Sequence, residues 1–327
     1  MVMINVGIIG GAGYTAGELI RILVNHPKVD IDFIYSTSNA GNPISDVHQD
    51  LIGTVNIVFT DIINSNVDLI FLCLGHGNST KFLTENNFSN TTKIIDLSSD
   101  FRLIHNNSFN DKNFIYGLPE FNKNDIMKAD YVANPGCFAT AIQLAILPLI
   151  FEQNLTSEIH VNAVTGATGA GSKLFKTSNF SWRDNNFSHY KPFTHQHLDE
   201  IKQTIHCVQK SHDPEILFVP NRGNFSRGIF ATVYTEYDYN LETAFENYTK
   251  CYENTPFTFI SKKEVHLKQV VNTNKCVLHL HKHNNKLLIT SCIDNLLKGA
   301  SGQAVQNMNL MFGFDEGLGL QLKANFF

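Results

Sequence analysis

The pattern of apolar and polar residues changes near residue 135. Before that point, short apolar runs with few polar residues recur at residues 4–9, 29–35, 67–74, 93–97 and 129–133. Such runs are typical of parallel strands that helices cover on both faces of a sheet. The first run is followed by apolar residues at helical spacing, which end at His26-Pro27. Alternating strands and helices predict a doubly wound parallel sheet.

Beyond residue 137 the pattern is different. Residues 139–150 are apolar nearly all round, which predicts a helix buried between layers. Strands are then predicted at 159–165, 216–219, 228–238 and 276–293, and a last helix at 295–312. The last two strand regions alternate between apolar and polar residues, and Asn284-Asn285 marks a hairpin turn. This half is therefore predicted to contain a mixed, largely antiparallel sheet.

These patterns predict an α/β protein of two domains. One is a doubly wound parallel-sheet domain over residues 1–136, completed by a C-terminal helix at 298–327. The other is an α+β domain over residues 137–297. A chain of 327 residues fits two domains because single cores seldom exceed about 250–300 residues. A composition of 43% hydrophobic and 17% charged residues is that of an ordinary globular protein.

Charge and cysteine usage narrow the possible partners. The formal net charge of -5 comes without a basic cluster, so neither a nucleic acid nor an anionic membrane is expected. No segment approaches the ~18–20 apolar residues of a membrane span, and the N-terminus lacks the charged start of a signal peptide. Six scattered cysteines without a Cys-x-x-Cys pair predict reduced thiols. We expect a cytoplasmic protein that acts on a small molecule.

A glycine-rich turn follows the first strand and opens the first helix. Glycines there let the backbone approach a pyrophosphate, and the helix N-terminus offers free N–H groups. The predicted dinucleotide-binding residues are Gly10, Gly11, Ala12, Gly13, Tyr14, Thr15 and Ala16. The end of the second strand carries Ser36 and Ser38 where NAD-binding folds usually place a carboxylate, so NADP(H) is favoured over NAD.

Cys137 follows Asn134-Pro135-Gly136 and precedes the long apolar helix. It is either an inert buried thiol or a nucleophile whose thiolate is favoured by the helix N-terminus. A nucleophile needs an acid or base nearby, and His195 and His197 are the candidates. Residues two apart do not share a helix face, so one of them is expected to serve and the other to bind substrate or to be structural.

His279, His281 and His283 fall on one face of a predicted strand. The outer two lie ~13 Å apart along the strand, so the three cannot share one ion. A site of two histidines with a remote third ligand stays open, but a solvated or subunit-facing strand is the better interpretation, and no metal is expected.

Ordered motifs along nearly the whole chain resemble the N-acetyl-gamma-glutamyl-phosphate reductase family, the arginine-pathway branch of the aspartate-semialdehyde-dehydrogenase-like superfamily. The motifs are Gly10-Gly-Ala-Gly-Tyr-Thr-Ala-Gly-Glu-Leu19, Ile95-Asp-Leu-Ser-Ser-Asp-Phe-Arg-Leu103, Tyr116-Gly-Leu-Pro-Glu120, Asn134-Pro-Gly-Cys-Phe138, Thr165-Gly-Ala-Thr-Gly-Ala-Gly171, His195-Gln-His197, Arg227-Gly-Ile229 and the segment 294–307.

The resemblance implies NADPH-dependent reduction of an N-acyl-gamma-glutamyl phosphate to the semialdehyde through a thioester on Cys137. It also implies that His195 or His197 is the acid/base group. The domain over residues 137–297 would be the catalytic and oligomerisation domain of a homodimer or homotetramer. Substrate contacts are predicted for Arg102, Asn134, Gly166, Lys176 and Arg222, and Asn295 is predicted to line the cofactor or acyl site. Arg222 stands where the family usually has another residue, and is predicted to supply a positive charge.

Three alternatives stay open at this point. Aspartate-semialdehyde dehydrogenase shares the fold and the nucleophile. A non-catalytic dinucleotide sensor would use the glycine turn alone, whereas a cysteine hydrolase would leave that turn unexplained. The sequence also leaves open the acetyl or succinyl group of the substrate, the choice between His195 and His197, dimer against tetramer, and the strictness of NADP over NAD.

Overall fold

The structure, a computed structural model, describes residues 3–210 and 213–326. The chain divides into two compact units. Unit 1 holds the described residues up to Pro135 together with Ala300–Gln321, and unit 2 holds Gly136–Gly299 and the described residues from Leu322 onward. Each unit contains one seven-stranded sheet. The predicted fold class, a parallel-sheet domain with a second domain built on a mixed sheet, is confirmed.

The sheet of unit 1 is parallel except at one edge. Its strands are β1 (Ile4–Ile9), β2 (Val29–Tyr35), β3 (Leu69–Leu72), β4 (Lys93–Asp96), β5 (Ser108–Phe109), β6 (Lys112–Tyr116) and β7 (Tyr131–Ala133). They are ordered β2-β1-β3-β4-β7-β6-β5, and only β5 and β6 pair antiparallel. The sequence pattern missed this pair because β5 has only two residues and β6 begins with Lys112 and Asn113. Asn110 and Asp111, with φ of 46° and 62°, form its turn.

Four helices cover the sheet of unit 1, namely α1 (Tyr14–Leu23), α2 (Ser79–Glu85), α3 (Pro119–Ile126) and α8 (Ser301–Met311). Every residue of α8 is buried, and it packs on α1 and α3. The helix predicted over 295–312 begins later, at Ser301, because the Asp294 carboxylate accepts the N–H groups of Leu296 and Leu297 and holds a turn.

The sheet of unit 2 is mixed and largely antiparallel. Its strands are β8 (Ile159–Thr165), β9 (Ser188–His189), β10 (Ile216–Arg222), β11 (Ile229–Glu236), β12 (Thr258–Ser261), β13 (Cys276–His283) and β14 (Lys286–Ile293). Their order is β12-β13-β14-β11-β8-β10-β9, with β8–β10 and β12–β13 the two parallel pairs. The predicted hairpin turn lies between β13 and β14, where Asn284 has a φ of 50°.

The helices of unit 2 are α4 (Cys137–Phe151), α5 (Phe180–Arg183), α6 (His197–Val208) and α7 (Leu241–Tyr252). Helix α4 is buried at every position from Phe138 to Ile150 and packs against α6, α7 and strands β11 and β14. Tyr248 and Tyr252 donate hydrogen bonds to backbone carbonyls of α4 at 2.7 and 2.5 Å. These contacts fix the helix on which Cys137 stands. Among the described residues, no helix is long and apolar enough to cross a membrane.

Candidate active site

Helix α4 begins at Cys137, as the Pro135-Gly136 break predicts. Gly136 is the N-cap with extended backbone, at φ -70° and ψ 149°, and no described side chain caps the helix through it. The first turn of a helix has N–H groups that no intrahelical carbonyl accepts. Cys137 is partly exposed, and a Cβ on Gly299 would lie only 2.7 Å from the Cβ of Cys137. A glycine at 299 therefore leaves room for the thiol.

His197 is the first residue of α6, and its ring lies against Gly136. A Cβ built on Gly136 would overlap the imidazole, so the glycine lets this ring approach the residue that precedes Cys137. Nε2 of His197 is 4.0 Å from the Glu200 carboxylate, and both side chains are buried. Glu200 also accepts the N–H of Gly136 at 2.9 Å. One carboxylate thus joins the start of α6 to the start of α4.

His195 lies just before α6 and not within it. The rule that residues two apart do not share a helix face therefore does not keep its ring away from that of His197. The two imidazole centroids are 4.6 Å apart, and Nδ1 of His195 accepts the backbone N–H of His197 at 3.2 Å. His195 is packed by the rings of Phe138, Phe218 and Tyr190. Burial, with a smaller contribution from Lys191, lowers the pKa of His195 from 6.5 to about 4. His195 is therefore neutral near pH 7.

Tyr190 connects this cluster to Arg222. The Arg222 guanidinium carbon lies 3.9 Å from the centroid of the Tyr190 ring, a cation–π contact. The Tyr190 ring in turn meets the His195 ring edge to face at 5.6 Å. Burial and the neighbouring Cys137 raise the pKa of Tyr190, so its hydroxyl keeps its proton. A positive charge is therefore held beside the cysteine and histidine cluster.

The loops around Gly166 and Asn295 are tied together. Asn295 accepts the N–H of Gly228 at 2.7 Å through Oδ1 and donates to Thr168 Oγ1 at 3.0 Å through Nδ2. A Cβ on Gly166 would lie 2.5 Å from the carbonyl oxygen of Ser226. Both residues hold this loop region in place. Their predicted ligand contacts stay predictions.

The other predicted substrate residues are engaged differently. In unit 1, the buried Arg102 donates to the carbonyls of Asn134 at 2.8 Å and Leu97 at 3.0 Å. Asn134, also buried, donates to the carbonyl of Ala300 at 3.1 Å. In unit 2, Lys176 is exposed at the start of a short 3-10 turn. Substrate roles for Arg102, Asn134 and Lys176 stay predictions.

The glycine turn of unit 1 is shaped by close backbone approaches. Gly10 has a φ of +80°, and a Cβ there would lie 2.7 Å from the carbonyl oxygen of Cys73. The N–H groups of Gly10 and Gly11 both donate to the carbonyl of Tyr35, at 3.1 and 2.9 Å. Gly13 differs, because the nearest atom to a Cβ there is 3.9 Å away, and no described side chain caps α1. The turn therefore has an open backbone surface at Gly13 and at the start of α1.

Three polar side chains at the end of β2 form one cluster. Asn39 donates through Nδ2 to Ser36 Oγ at 3.1 Å and to Ser38 Oγ at 3.0 Å. Ser36 is buried, whereas Ser38 is exposed. His48, which sequence reasoning also missed, bonds the carbonyl of Gly11 through Nε2 at 2.7 Å. Asn39 thus holds Ser36 and Ser38, and His48 holds the glycine turn at Gly11, both from positions that carry no recognisable motif.

Strand β13 carries the three histidines His279, His281 and His283. Within residues 3–210 and 213–326, no group of three histidine, cysteine or acidic side chains could hold a metal ion. His279 instead meets the carbonyl of Ser261 through Nδ1 at 3.0 Å.

A dinucleotide-type sheet in one unit and a cysteine and histidine site in the other together define a class of dehydrogenase. Residues 5–129 match the family model "Semialdehyde dehydrogenase, NAD binding domain", and residues 137–295 match "Semialdehyde dehydrogenase, dimerisation domain". The fold is similar to that of aspartate semialdehyde dehydrogenase II of Vibrio cholerae, complexed with ASA, at 15% identity, with a TM-score of 0.72 and coverage of 96% and 99% of the two chains. A Candida albicans aspartate semialdehyde dehydrogenase solved with NADP is 11% identical, with a TM-score of 0.67 and coverage of 95% and 98%.

Curated relatives make the assignment narrower. Proteins named N-acetyl-gamma-glutamyl-phosphate reductase from Christiangramia forsetii and Flavobacterium johnsoniae are 61% and 59% identical to this chain, each over 99% of it and 100% of the relative. A protein of the same name from Phocaeicola vulgatus is 56% identical with the same coverage. The chain belongs to the N-acetyl-gamma-glutamyl-phosphate reductase family.

Proposed function

We propose that this protein reduces an N-acyl-gamma-glutamyl phosphate to the N-acyl-glutamate semialdehyde, with NADPH as reductant, as a step of arginine biosynthesis. The observation that carries the proposal is Cys137 at the start of α4, with the His197 ring against the preceding residue. The names of the full-length relatives support the same reaction.

Cys137 acts as the nucleophile. Its thiolate attacks the acyl carbon, the carbon–oxygen bond to phosphate breaks, and a thioester remains on the sulfur. The Gly136 N–H is occupied by Glu200, so the donors for the developing oxyanion come from the N–H groups of the first turn of α4. The absence of a side-chain cap in the described structure suits this role.

His197 is the acid/base group, and His195 positions it. His197 lies beside Gly136 and near the Glu200 carboxylate, which can stabilise the imidazolium when the ring takes a proton. His195, with its pKa near 4, stays neutral at physiological pH and accepts the backbone N–H of His197. The two environments therefore assign proton transfer to His197 and positioning to His195.

NADP(H) fits the turn formed by Gly10, Gly11, Ala12, Gly13, Tyr14, Thr15 and Ala16. The open side of Gly13 and the uncapped start of α1 would take the pyrophosphate. Ser38, exposed and linked to Asn39 and Ser36, would contact the 2′-phosphate of NADP. The cofactor, when bound, supplies the hydride that reduces the thioester.

The domain roles and the oligomer are part of the proposal. Residues 1–136 with 298–327 act as the cofactor domain, and residues 137–297 as the catalytic and oligomerisation domain. Substrate contacts are assigned to Arg102, Asn134, Gly166, Lys176 and Arg222, with Asn295 lining the acyl or cofactor site. Apolar side chains at Leu174, Phe180 and Phe187 are 91%, 81% and 62% exposed, which supports contact with a second copy. Light scattering would distinguish dimer, tetramer and monomer.

The test of the reaction is the reverse assay. Purified protein receives N-acetyl-glutamate semialdehyde, phosphate and NADP, and the absorbance of NADPH is followed. The N-succinyl analogue, aspartate semialdehyde and NAD are run in parallel, and Cys137→Ser is the inactive control. Phosphate-dependent formation of NADPH is expected. Absence of turnover with every N-acyl semialdehyde, in a protein that binds NADPH, would contradict the proposal and favour the sensor.

A further inference from the structure

Two arginines of unit 2 line one small polar pocket. Arg183 ends α5 and Arg222 ends β10, and Trp182 and Ser188 line the same pocket. Neither guanidinium forms an ion pair with an acidic side chain of the described chain. Two guanidinium groups that share a pocket without a carboxylate form an unusual arrangement, because each positive charge opposes the other.

Contacts that carry no compensating charge hold both arginines in place. The Arg222 guanidinium lies 3.9 Å from the Tyr190 ring centroid, and Arg183 donates through one Nη to the carbonyl of Gly223 at 2.8 Å. Ser188 of β9 pairs with Arg222 of β10 across the edge of the sheet. The pair is therefore fixed by a ring face and a backbone carbonyl, and its planar donors are not neutralised.

The repulsion between the two guanidinium groups affects the pKa of Arg183. Burial, followed by the neighbouring Arg222, lowers the pKa of Arg183. An anionic ligand would relieve this repulsion and could accept two parallel hydrogen bonds from each planar guanidinium.

The pocket is linked to the nucleophile through Tyr190. The Tyr190 ring contacts Arg222 on its face and His195 at its edge, and Cys137 contributes to the raised pKa of its hydroxyl. A substrate attached to Cys137 could therefore place a second group against the arginine pair.

We propose that Arg183 and Arg222 together bind an anionic oxygen group of the substrate, either a carboxylate or the phosphate that leaves the acyl carbon when Cys137 attacks. This inference rests on the proposed function and goes beyond it in two respects. Arg183 becomes a substrate-binding residue, and an anion becomes the ligand of this pocket.

Trp182 allows the anion site to be tested without turnover. It is the only tryptophan of the chain and lies in the pocket lining, so its fluorescence reports ligand binding there. Inorganic phosphate, acetate and succinate are titrated into the full-length protein at constant ionic strength, with chloride as the reference salt. The expected result is a saturable change, weakened at least about tenfold in Arg183→Gln and in Arg222→Gln.

Matched variants separate binding from folding. Arg21→Gln makes the same change of charge on α1, where Arg21 pairs with Glu18 at 2.8 Å, and should titrate like the wild type. Arg222→Lys keeps the charge and loses the planar fork, so weaker binding than in the wild type is expected. Circular dichroism and melting curves check that each variant folds. Wild-type titration curves in both glutamine variants would overturn the proposal, as would the lack of any saturable change in the wild type.

Kinetics then identify which anion is bound. In the reverse assay, a KM for phosphate raised about tenfold in Arg183→Gln, with the KM for the semialdehyde unchanged, assigns the pair to phosphate. The opposite pattern assigns it to a carboxylate, and a larger effect with the N-succinyl substrate than with the N-acetyl one places that carboxylate on the acyl chain. Wild-type KM values for both substrates in both variants would contradict the inference. A wild-type protein that binds anions at Trp182 without turnover would contradict only the proposed reaction.

Discussion

The glycine turn of unit 1 and the cysteine site of unit 2 are built in different ways. The turn is made of consecutive residues, and backbone conformation does most of the work, as at Gly10 with its φ of +80°. The cysteine site gathers side chains from α4, from the segment before α6, from the first turn of α6 and from strand β10. A site of the first kind fails when a side chain is added, and one of the second kind fails when a functional group is removed.

The largest expected effect is at Cys137. Replacing Cys137 by Ser keeps the size of the side chain but leaves an alcohol in place of a good nucleophile and leaving group. We expect kcat to fall by at least about a thousandfold, with unchanged folding and NADPH affinity. Steady-state kinetics and a cofactor titration provide the measurement.

Cys207→Ser is the control for Cys137→Ser. Cys207 is an exposed cysteine of α6, so its replacement should leave kcat within about twofold. Substantial turnover in Cys137→Ser would rule out the covalent route.

The second effect separates the two histidines. His197→Gln removes the group beside Gly136 that can exchange a proton, so kcat should fall by about 10²–10⁴-fold. In His195→Asn, the amide oxygen can replace Nδ1 as acceptor of the His197 N–H, and a clearly smaller loss is expected. Comparing kcat of the two variants across pH is the measurement. A larger loss of kcat in His195→Asn than in His197→Gln would instead make His195 the acid/base group and His197 the positioning residue.

Much of the backbone and part of the site could be predicted from sequence. The parallel strands and the start of α4 at Cys137 follow from apolar runs and from Pro135-Gly136, which are local signals. Glu200 was missed because its contact with Gly136 joins residues 64 positions apart. The only available hint was its position three residues after His197 at the start of a helix.

The misplaced expectation about the histidines has the same origin. The two rings were expected to diverge because both residues were assigned to one helix, yet α6 begins at His197. A difference of two residues in where a helix begins changes whether two imidazoles meet. Arg183, Asn39 and His48 carry no motif at all, and only the folded chain brings each to its partners.

The third effect contrasts two glycines of the turn. Gly10→Ala puts a side chain at positive φ and 2.7 Å from the Cys73 carbonyl oxygen, so unfolding free energy should fall by about 1–3 kcal/mol. Gly13→Ala, at φ -84° with open space around it, should change stability by less than about 0.5 kcal/mol and weaken NADPH binding about tenfold. Thermal unfolding and cofactor titration of both variants test this contrast. Equal NADPH affinity in Gly13→Ala and in the wild type would show that the glycine turn does not bind the cofactor.

The fourth effect concerns stability at acid pH. The folded state lowers the pKa of His195 from 6.5 to about 4, so folding disfavours its protonated form. Its contribution to stability is fully present above pH 6.5 and is lost as pH falls from 6.5 towards 4. In His195→Asn this loss should be absent, and the stability profile between pH 6.5 and 4 should be shallower than that of the wild type. Urea unfolding at several pH values is the measurement, and parallel profiles would contradict the neutral His195.

The smallest expected effect is at the end of β2. Ser38 is exposed, and its hydroxyl is joined to Asn39 at 3.0 Å, so it can donate to a 2′-phosphate while Asn39 holds it in place. Ser38→Ala removes one hydrogen bond to a charged group, which corresponds to about 1.5 kcal/mol and about a tenfold weaker binding of NADP. NAD lacks that phosphate, so its affinity should not change. Thr37→Ala, an exposed neighbour, is the matched control. An equal loss of affinity for NADP and for NAD would mean that Ser38 supports the turn without contacting the 2′-phosphate. The preference for NADP over NAD would then have to come from the backbone of the glycine turn.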